Sequence, residues 1–146
     1  MNDILEVTFK IVLCVILSSF IGLEREVRNK IAGLRTHILV GLGSALVVLT
    51  SIYIFDVYRE ITFVDPTRMI TGVVTGIGFL CAGTIIQAGD TVRGLTTAAT
   101  LWIVSCVGIS VGAGHYSAAI IVTFVACVVL IGVRKIEYNL LEKFKK

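Results

Sequence analysis

Long uncharged stretches separated by short charged segments dominate this chain of 146 residues. A helix that crosses about 30 Å of hydrocarbon needs about 20 mostly apolar residues. The pattern predicts such helices at about 4–23, 36–55 and 67–87, and two more within the 40 uncharged residues 94–133. The turn-like segment 112–115, with two glycines, separates the last two helices. We therefore expect an all-α, polytopic membrane helix bundle with about five transmembrane helices.

The composition supports this interpretation and changes the expected surroundings of the molecule. The chain is 56% hydrophobic and 16% charged, with a mean hydropathy of +0.96. A soluble domain is about 45–50% apolar and about 25% charged, so the main partner of this surface is the lipid bilayer. The net charge of +3 does not indicate nucleic acid, because the basic residues stand at the edges of the spans. We expect a transmembrane domain over 1–133 and a basic amphipathic cytoplasmic tail over 134–146.

The distribution of Lys and Arg predicts the orientation. With the N-terminus outside, ten of the 13 basic residues fall in the three inner segments and three in the outer ones. Inner segments of membrane proteins carry the excess of basic residues. The N-terminus is therefore predicted outside and the C-terminus in the cytoplasm.

Small residues at helical spacing indicate close packing between helices. Gly72, Gly76 and Gly83 fall on one face of the third predicted helix, and such a face lets another backbone approach closely. Two alternatives stay open, packing within one bundle and the seam of a homodimer. The same small-residue spacing recurs in three pairs: Ser18/Gly22, Gly41/Ala45 and Gly108/Gly112.

A faint internal echo accompanies this spacing. At an offset of 61 residues, Gly33 and Leu34 match Gly94 and Leu95, with two further matches nearby. Both segments would enter the membrane from the same side, which is typical of a parallel repeat.

Two arginines stand where helices begin on the predicted cytoplasmic side. Arg35 and Arg93 each precede a helix whose N-terminus already carries about half a positive charge. The compensating group could be a lipid phosphate, a salt bridge to Glu24, Glu26 or Asp90, or an anion or acidic partner. The candidate residues for anion or partner contact on this side are Glu24, Arg25, Arg35, His37, Arg93, Thr96 and Thr97.

A second group of polar residues lies at the predicted outer mouth, where Asp65 and Pro66 precede Arg68. Asp and Pro are typical of a helix start, so Asp65 is interpreted as a cap. The alternative is a cation site with Asp56 and Glu60, for which Asp65 is the candidate metal ligand and Mg²⁺ the candidate ion. No Asp or Glu lies in the middle of a predicted span, and this counts against divalent-cation transport.

Sequence motifs of common enzymes are missing. The chain has neither a GxxxxGK[ST] phosphate loop nor an Asp-Lys-Thr-Gly phosphorylation sequence. His37 and His115 are predicted on opposite sides of the membrane, and the four cysteines lie in apolar runs as small hydrophobic residues. We expect no enzymatic activity and no cofactor.

Four motifs at the helix edges carry a family resemblance. They are GLERE at 22–26, AGLRTH at 32–37, GIGFLCAG at 76–83 and VRGLTTAA at 92–99. In order and spacing they resemble the MgtC/SapB family of bacterial inner-membrane proteins. The resemblance covers the membrane domain and implies a role in growth at low magnesium, often linked to virulence. It does not carry over the C-terminal soluble regulatory domain of many members. Cys81 and Gly72 depart from the family pattern, where Gly and Gln are expected.

Two functions remain after the resemblance is included. The first is an integral membrane regulator that binds another membrane protein, such as an ion pump or ATPase, through the glycine-faced bundle and the basic inner surface. The second is a channel or carrier for Mg²⁺ or another small solute, with threonine hydroxyls along its path.

Overall fold

A computed structural model of the chain describes residues 2–133, which form five α-helices and one short hairpin. The elements are α1 Asn2–Val27, α2 Leu34–Tyr58, α3 Thr67–Thr84, β1 Ile86–Ala88, β2 Thr91–Arg93, α4 Leu95–Gly112 and α5 Tyr116–Val128. A π-helical segment, Val129–Val133, continues α5. The predicted all-α bundle is confirmed, with the hairpin as its one addition among these residues. The predicted tail at 134–146 lies outside the described residues.

Within residues 2–133, four helices are long and apolar enough to cross a membrane, namely α1, α2, α4 and α5 with its π-helical continuation. The third predicted span, α3, is not among them. It carries Arg68 in its first turn and ends at Thr84, because the chain then turns into the hairpin. In the hairpin Ile86 pairs with Arg93 around the turn at Gly89, whose φ is +60°. The described part of the chain is therefore a multi-pass membrane bundle, and its orientation stays a prediction.

Helix α4 is the centre of the bundle, with more than half of its residues buried and contacts to all four other helices. It runs parallel to α2, because two polar pairs connect these helices in the same direction along both. His37 Nε2 lies 3.0 Å from Thr100 Oγ1, and the Ser105 hydroxyl lies 2.9 Å from that of Ser44. The internal echo is consistent with this common direction of the second and fourth helices, but the parallel repeat itself stays a prediction.

Glycines allow the central helices to touch through their backbones. A Cβ built on Gly108 would lie 2.3 Å from the carbonyl oxygen of Gly41, and one on Gly112 would lie 2.9 Å from that of Ala45. On the other side of α2, a Cβ on Gly22 would lie 2.9 Å from Leu34 Cα. Packing within the bundle is therefore confirmed for the three small-residue pairs.

The glycine face of α3 is different. A Cβ built on Gly72, Gly76 or Gly83 would meet no atom of the described residues within 4 Å, and all three glycines are exposed there. Packing within one bundle is thus wrong for these three glycines, because α3 contacts α2 and α4 through another side on which Ile77 is buried. An open groove of about 510 Å³, lined by Gly43 and Gly76 among others, separates α2 from α3.

Helix α1 ends in a Schellman motif that fixes the following loop. Asn29 has a φ of +51°, its N–H donates to the Glu26 carbonyl, and the Lys30 N–H donates to the Arg25 carbonyl at 3.0 Å. This is the usual way to satisfy the last carbonyls of a helix, and Asn tolerates the left-handed conformation that it needs. The motif places Lys30 beside the start of α4, where Lys30 and Gly94 line the same cavity.

Candidate functional site

The basic end is the end of the bundle formed by the α1–α2 loop (28–33) and the hairpin (86–93), and it is the end predicted to be cytoplasmic. The structure brings five of the seven candidate residues to this end in buried or cavity-lining positions: Glu24, Arg25, His37, Arg93 and Thr97. Of the other two, Arg35 is exposed on the helix surface, and Thr96 is exposed and lines a separate apolar cavity between α4 and α5.

A buried ion pair closes the end of α1. Arg25 is only 3% exposed, and its guanidinium donates a hydrogen bond to, and forms an ion pair with, Oε2 of Glu24. The Glu24 side chain is 9% exposed, and Arg28 Nε lies 3.5 Å from its Oε1, which accepts no hydrogen bond. Removing an ion from water costs several kcal/mol, and only an ion pair of good geometry compensates for this cost. Glu24 and Arg25, two neighbouring charges of the GLERE motif, therefore mainly neutralise each other.

His37 connects α2 to α4 inside the bundle. Its Nδ1 donates to the Gly33 carbonyl at 2.7 Å, since a carbonyl can only accept. Its Nε2 lies 3.0 Å from Thr100 Oγ1, and the Thr100 hydroxyl is also 2.9 Å from the Thr97 carbonyl. The sequence reasoning missed Thr100 in this role, although its helical spacing of three from Thr97 places both on one face of α4.

At the start of α2, a carboxylate balances the partial positive charge of the helix N-terminus, and Arg35 takes no part in an ion pair there. Glu26 Oε2 accepts the Leu34 N–H at 2.9 Å. Gly33 permits this approach, because a Cβ there would lie 1.7 Å from the same oxygen. Among the described residues neither Arg35 nor Arg93 forms a salt bridge, so of the three alternatives the pairing with Glu24, Glu26 or Asp90 is not formed there. The Glu26 carboxylate already serves the α2 N-terminus instead.

The start of α4 has no acidic residue in its first turn. Gly94 precedes it with a φ of +92°, and no side chain of the described chain caps the helix. A Cβ on Gly94 would lie 1.8 Å from the Thr84 carbonyl oxygen, so only glycine allows the hairpin to return so close to the end of α3. Beside this helix start lies a cavity of about 750 Å³, which Lys30, Arg93 and Thr97 help to line. We call it the basic cavity.

The outer residues have a structural role. Asp65 Oδ1 accepts hydrogen bonds from the Thr67 N–H at 2.9 Å and from the Thr67 hydroxyl at 2.7 Å. These are the bonds that the capping interpretation predicted, and they hold the pKa of Asp65 below its ordinary value. Arg68 is exposed. Arg59 lies between Asp56 and Glu60, at 3.8 and 3.6 Å from their carboxylates.

A metal site is not assembled in the part of the chain that the structure covers. No group of three or more His, Cys, Asp or Glu side chains comes together there. The proposed cation site of Asp65, Asp56 and Glu60 is therefore not formed as a cluster. The four cysteines are free.

Comparison with known proteins decides the family. The sequence model of the MgtC family matches residues 11–139, which include the whole basic end. The chain belongs to the MgtC family. This confirms the resemblance carried by the four motifs and extends it to nearly the full described length.

Curated relatives agree with this assignment. The chain is 38% identical over 140 residues to "Putative magnesium transporter YhiD" of Escherichia coli K12, covering 94% of this chain and 65% of that protein. It is 39% identical over 134 residues to "Uncharacterized protein slr0014" of Synechocystis (90% and 54%). It is 46% identical over 109 residues to "Protein MgtC" of Brucella abortus (74% and 43%). The chain thus spans less than two thirds of the length of these relatives. No solved structure matches the chain.

Proposed function

We propose that this MgtC family protein is a regulator in the bacterial inner membrane that supports magnesium homeostasis and adaptation to low magnesium, including virulence. It acts by binding another membrane protein, such as an ion pump or ATPase, and not by catalysis. The family membership and the name of the Escherichia coli relative, which refers to a magnesium transporter, support the connection to magnesium.

The buried polar groups of the described bundle carry this proposal, because most of them are bound to one another. Glu24 pairs with Arg25, and His37 bridges to α4. Ser44 donates to the Val40 carbonyl and accepts from Ser105. A Mg²⁺ ion demands a near-octahedral set of oxygen ligands. The described interior offers one carboxylate, and an arginine already neutralises it. Such an interior favours a rigid binding scaffold over an ion path.

The exposed face of α3 supports a partner that is itself a membrane helix. Gly72, Gly76 and Gly83 are unpacked, and the groove beside Gly76 is almost wholly apolar. In lipid, helices associate through close backbone contact at small residues, because lipid tails remove the hydrophobic drive. The central helices of this chain use that device among themselves, and α3 presents it outward.

In-cell photocrosslinking tests the proposal. A photoreactive side chain at Phe79 shares the glycine face of α3 and is 84% exposed, whereas one at Phe124 on α5 is 69% exposed and serves as the matched control. We expect the Phe79 probe, and not the Phe124 probe, to capture one reproducible membrane protein in cells grown at low magnesium. Gly76→Ile fills the groove and is expected to abolish both the adduct and growth at low magnesium.

Two outcomes would contradict this function. One is equal labelling from the two positions, which indicates random lipid-phase contact. The other is an adduct only with a second copy of the chain, which favours the homodimer instead. The alternative function is a channel or carrier for Mg²⁺ or another small solute, and the name of the Escherichia coli relative supports it. Magnesium flux into proteoliposomes distinguishes this alternative from the proposed regulator.

A further inference from the structure

The basic cavity concentrates positive charge that nothing in the described chain balances. Lys30 reaches it from the Schellman turn after α1, and Arg93 reaches it from the last residue of the hairpin. Neither forms a salt bridge with a described acid, and no Asp or Glu among residues 2–133 lines the cavity. The N-terminus of the 18-residue helix α4 adds its partial positive charge at the same place.

A nearly buried threonine that lines the cavity points to a ligand independently of these charges. Thr97 is 3% exposed and lines the cavity. Its carbonyl accepts the Thr100 hydroxyl, but its own hydroxyl makes no side-chain hydrogen bond within the described residues. This hydroxyl, on a nearly buried side chain that lines the cavity, is therefore available to donate to a group bound there.

We propose that the basic cavity binds a phosphate monoester or inorganic phosphate, with Lys30 and Arg93 as cationic contacts and Thr97 as a hydroxyl donor. Free backbone N–H groups at the first turn of α4 complete the donor set, as helix N-termini do for phosphate groups in other proteins. A dianionic phosphoryl group offers several strong acceptor oxygens, which suits a cavity lined by donors and cations.

The same chemistry can come from two sources. One is a lipid headgroup that ends in a phosphate monoester, as in phosphatidic acid, because the cavity lies at an end of a membrane bundle. The other is soluble phosphate. The inference does not depend on the proposed partner-binding function, since none of the three exposed glycines of α3 lines the cavity.

Thermal unfolding of the purified full chain in a phosphate-free detergent tests the proposal. Inorganic phosphate is titrated at constant ionic strength against chloride, and in a second arm phosphatidic acid is compared with phosphatidylcholine in mixed micelles. We expect at least one phosphate source to raise the Tm. The double variant Lys30→Gln/Arg93→Gln should weaken the apparent affinity about tenfold or more, since each lost charge-assisted contact is strong.

Matched variants keep the result interpretable. Arg35→Gln removes a cation of the same end that lies outside the cavity lining, and it should leave the affinity unchanged. Thr97→Val should weaken binding while Thr97→Ser retains it, which guards against a misfolded double variant. A response to phosphatidic acid alone assigns the lipid source, and a response to both assigns soluble phosphate as well. No Tm shift with either source, or the same shift in Lys30→Gln/Arg93→Gln, would overturn the proposal.

Discussion

The contact between Gly41 on α2 and Gly108 on α4 is a close backbone approach between two helices, and Gly108→Ala tests it. The new Cβ would lie 2.3 Å from the Gly41 carbonyl oxygen and 3.0 Å from Ser44 Cβ, where ordinary contacts begin at 3.4 Å. The helices would have to separate by roughly 1 Å, and overpacking of this kind costs about 1–3 kcal/mol. We expect a corresponding loss in the free energy of unfolding.

Gly43→Ala is the matched control, because Gly43 lies on the same helix α2 and a Cβ there would meet nothing within 4 Å. Alanine is favoured over glycine in a helix by about 1 kcal/mol, so this variant should be neutral or stabilising. Unfolding of both variants in detergent, followed by circular dichroism, measures the difference. Equal stability of Gly108→Ala and Gly43→Ala would refute the close α2–α4 contact.

Three further predictions concern the buried polar groups and the outer cap. Arg25→Met leaves Glu24 with only the more exposed Arg28 at 3.5 Å and should cost at most about 3–5 kcal/mol of unfolding free energy, with part of it recovered when Glu24→Gln is added. Thr100→Val should cost about 1–3 kcal/mol by orphaning His37 Nε2, whereas Thr100→Ser should not. Because the folded pKa of Asp65 is lowered, its stabilising contribution is present above the ordinary pKa and is lost as pH falls through the folded value. Asp65→Asn should remove that acid-side loss from a pH series of Tm values.

The helix pattern and some of the packing follow from local sequence. Gly41, Ala45, Gly108 and Gly112 make the predicted close contacts because small-residue spacing is a property of one helix face. The same spacing did not lead to a close contact at Gly72 of α3. Small residues show that a helix face allows close approach, but not which helix packs against it. The hairpin after α3 was also missed, although Gly89 and Asp90 are turn-forming residues.

The sequence predicts most of the residues that form the candidate site, but not which of them contact each other. Glu24 and Arg25 at a span edge are visible in the sequence, yet their burial depends on how α1 packs. The acid that caps α2 is Glu26, eight residues before the Leu34 N–H that it accepts, and no local spacing rule reaches that far. The basic cavity joins Lys30 to Arg93 across two loops, which only the folded chain brings together.

Magnesium flux into proteoliposomes tests the central claim most directly. The full chain is reconstituted into vesicles that contain a magnesium-sensitive dye, with protein-free vesicles and the Thr97→Val variant as controls. A regulator that acts by binding another membrane protein predicts uptake no faster than in protein-free vesicles. Uptake above that background, abolished by Thr97→Val, would contradict the account and establish a channel or carrier.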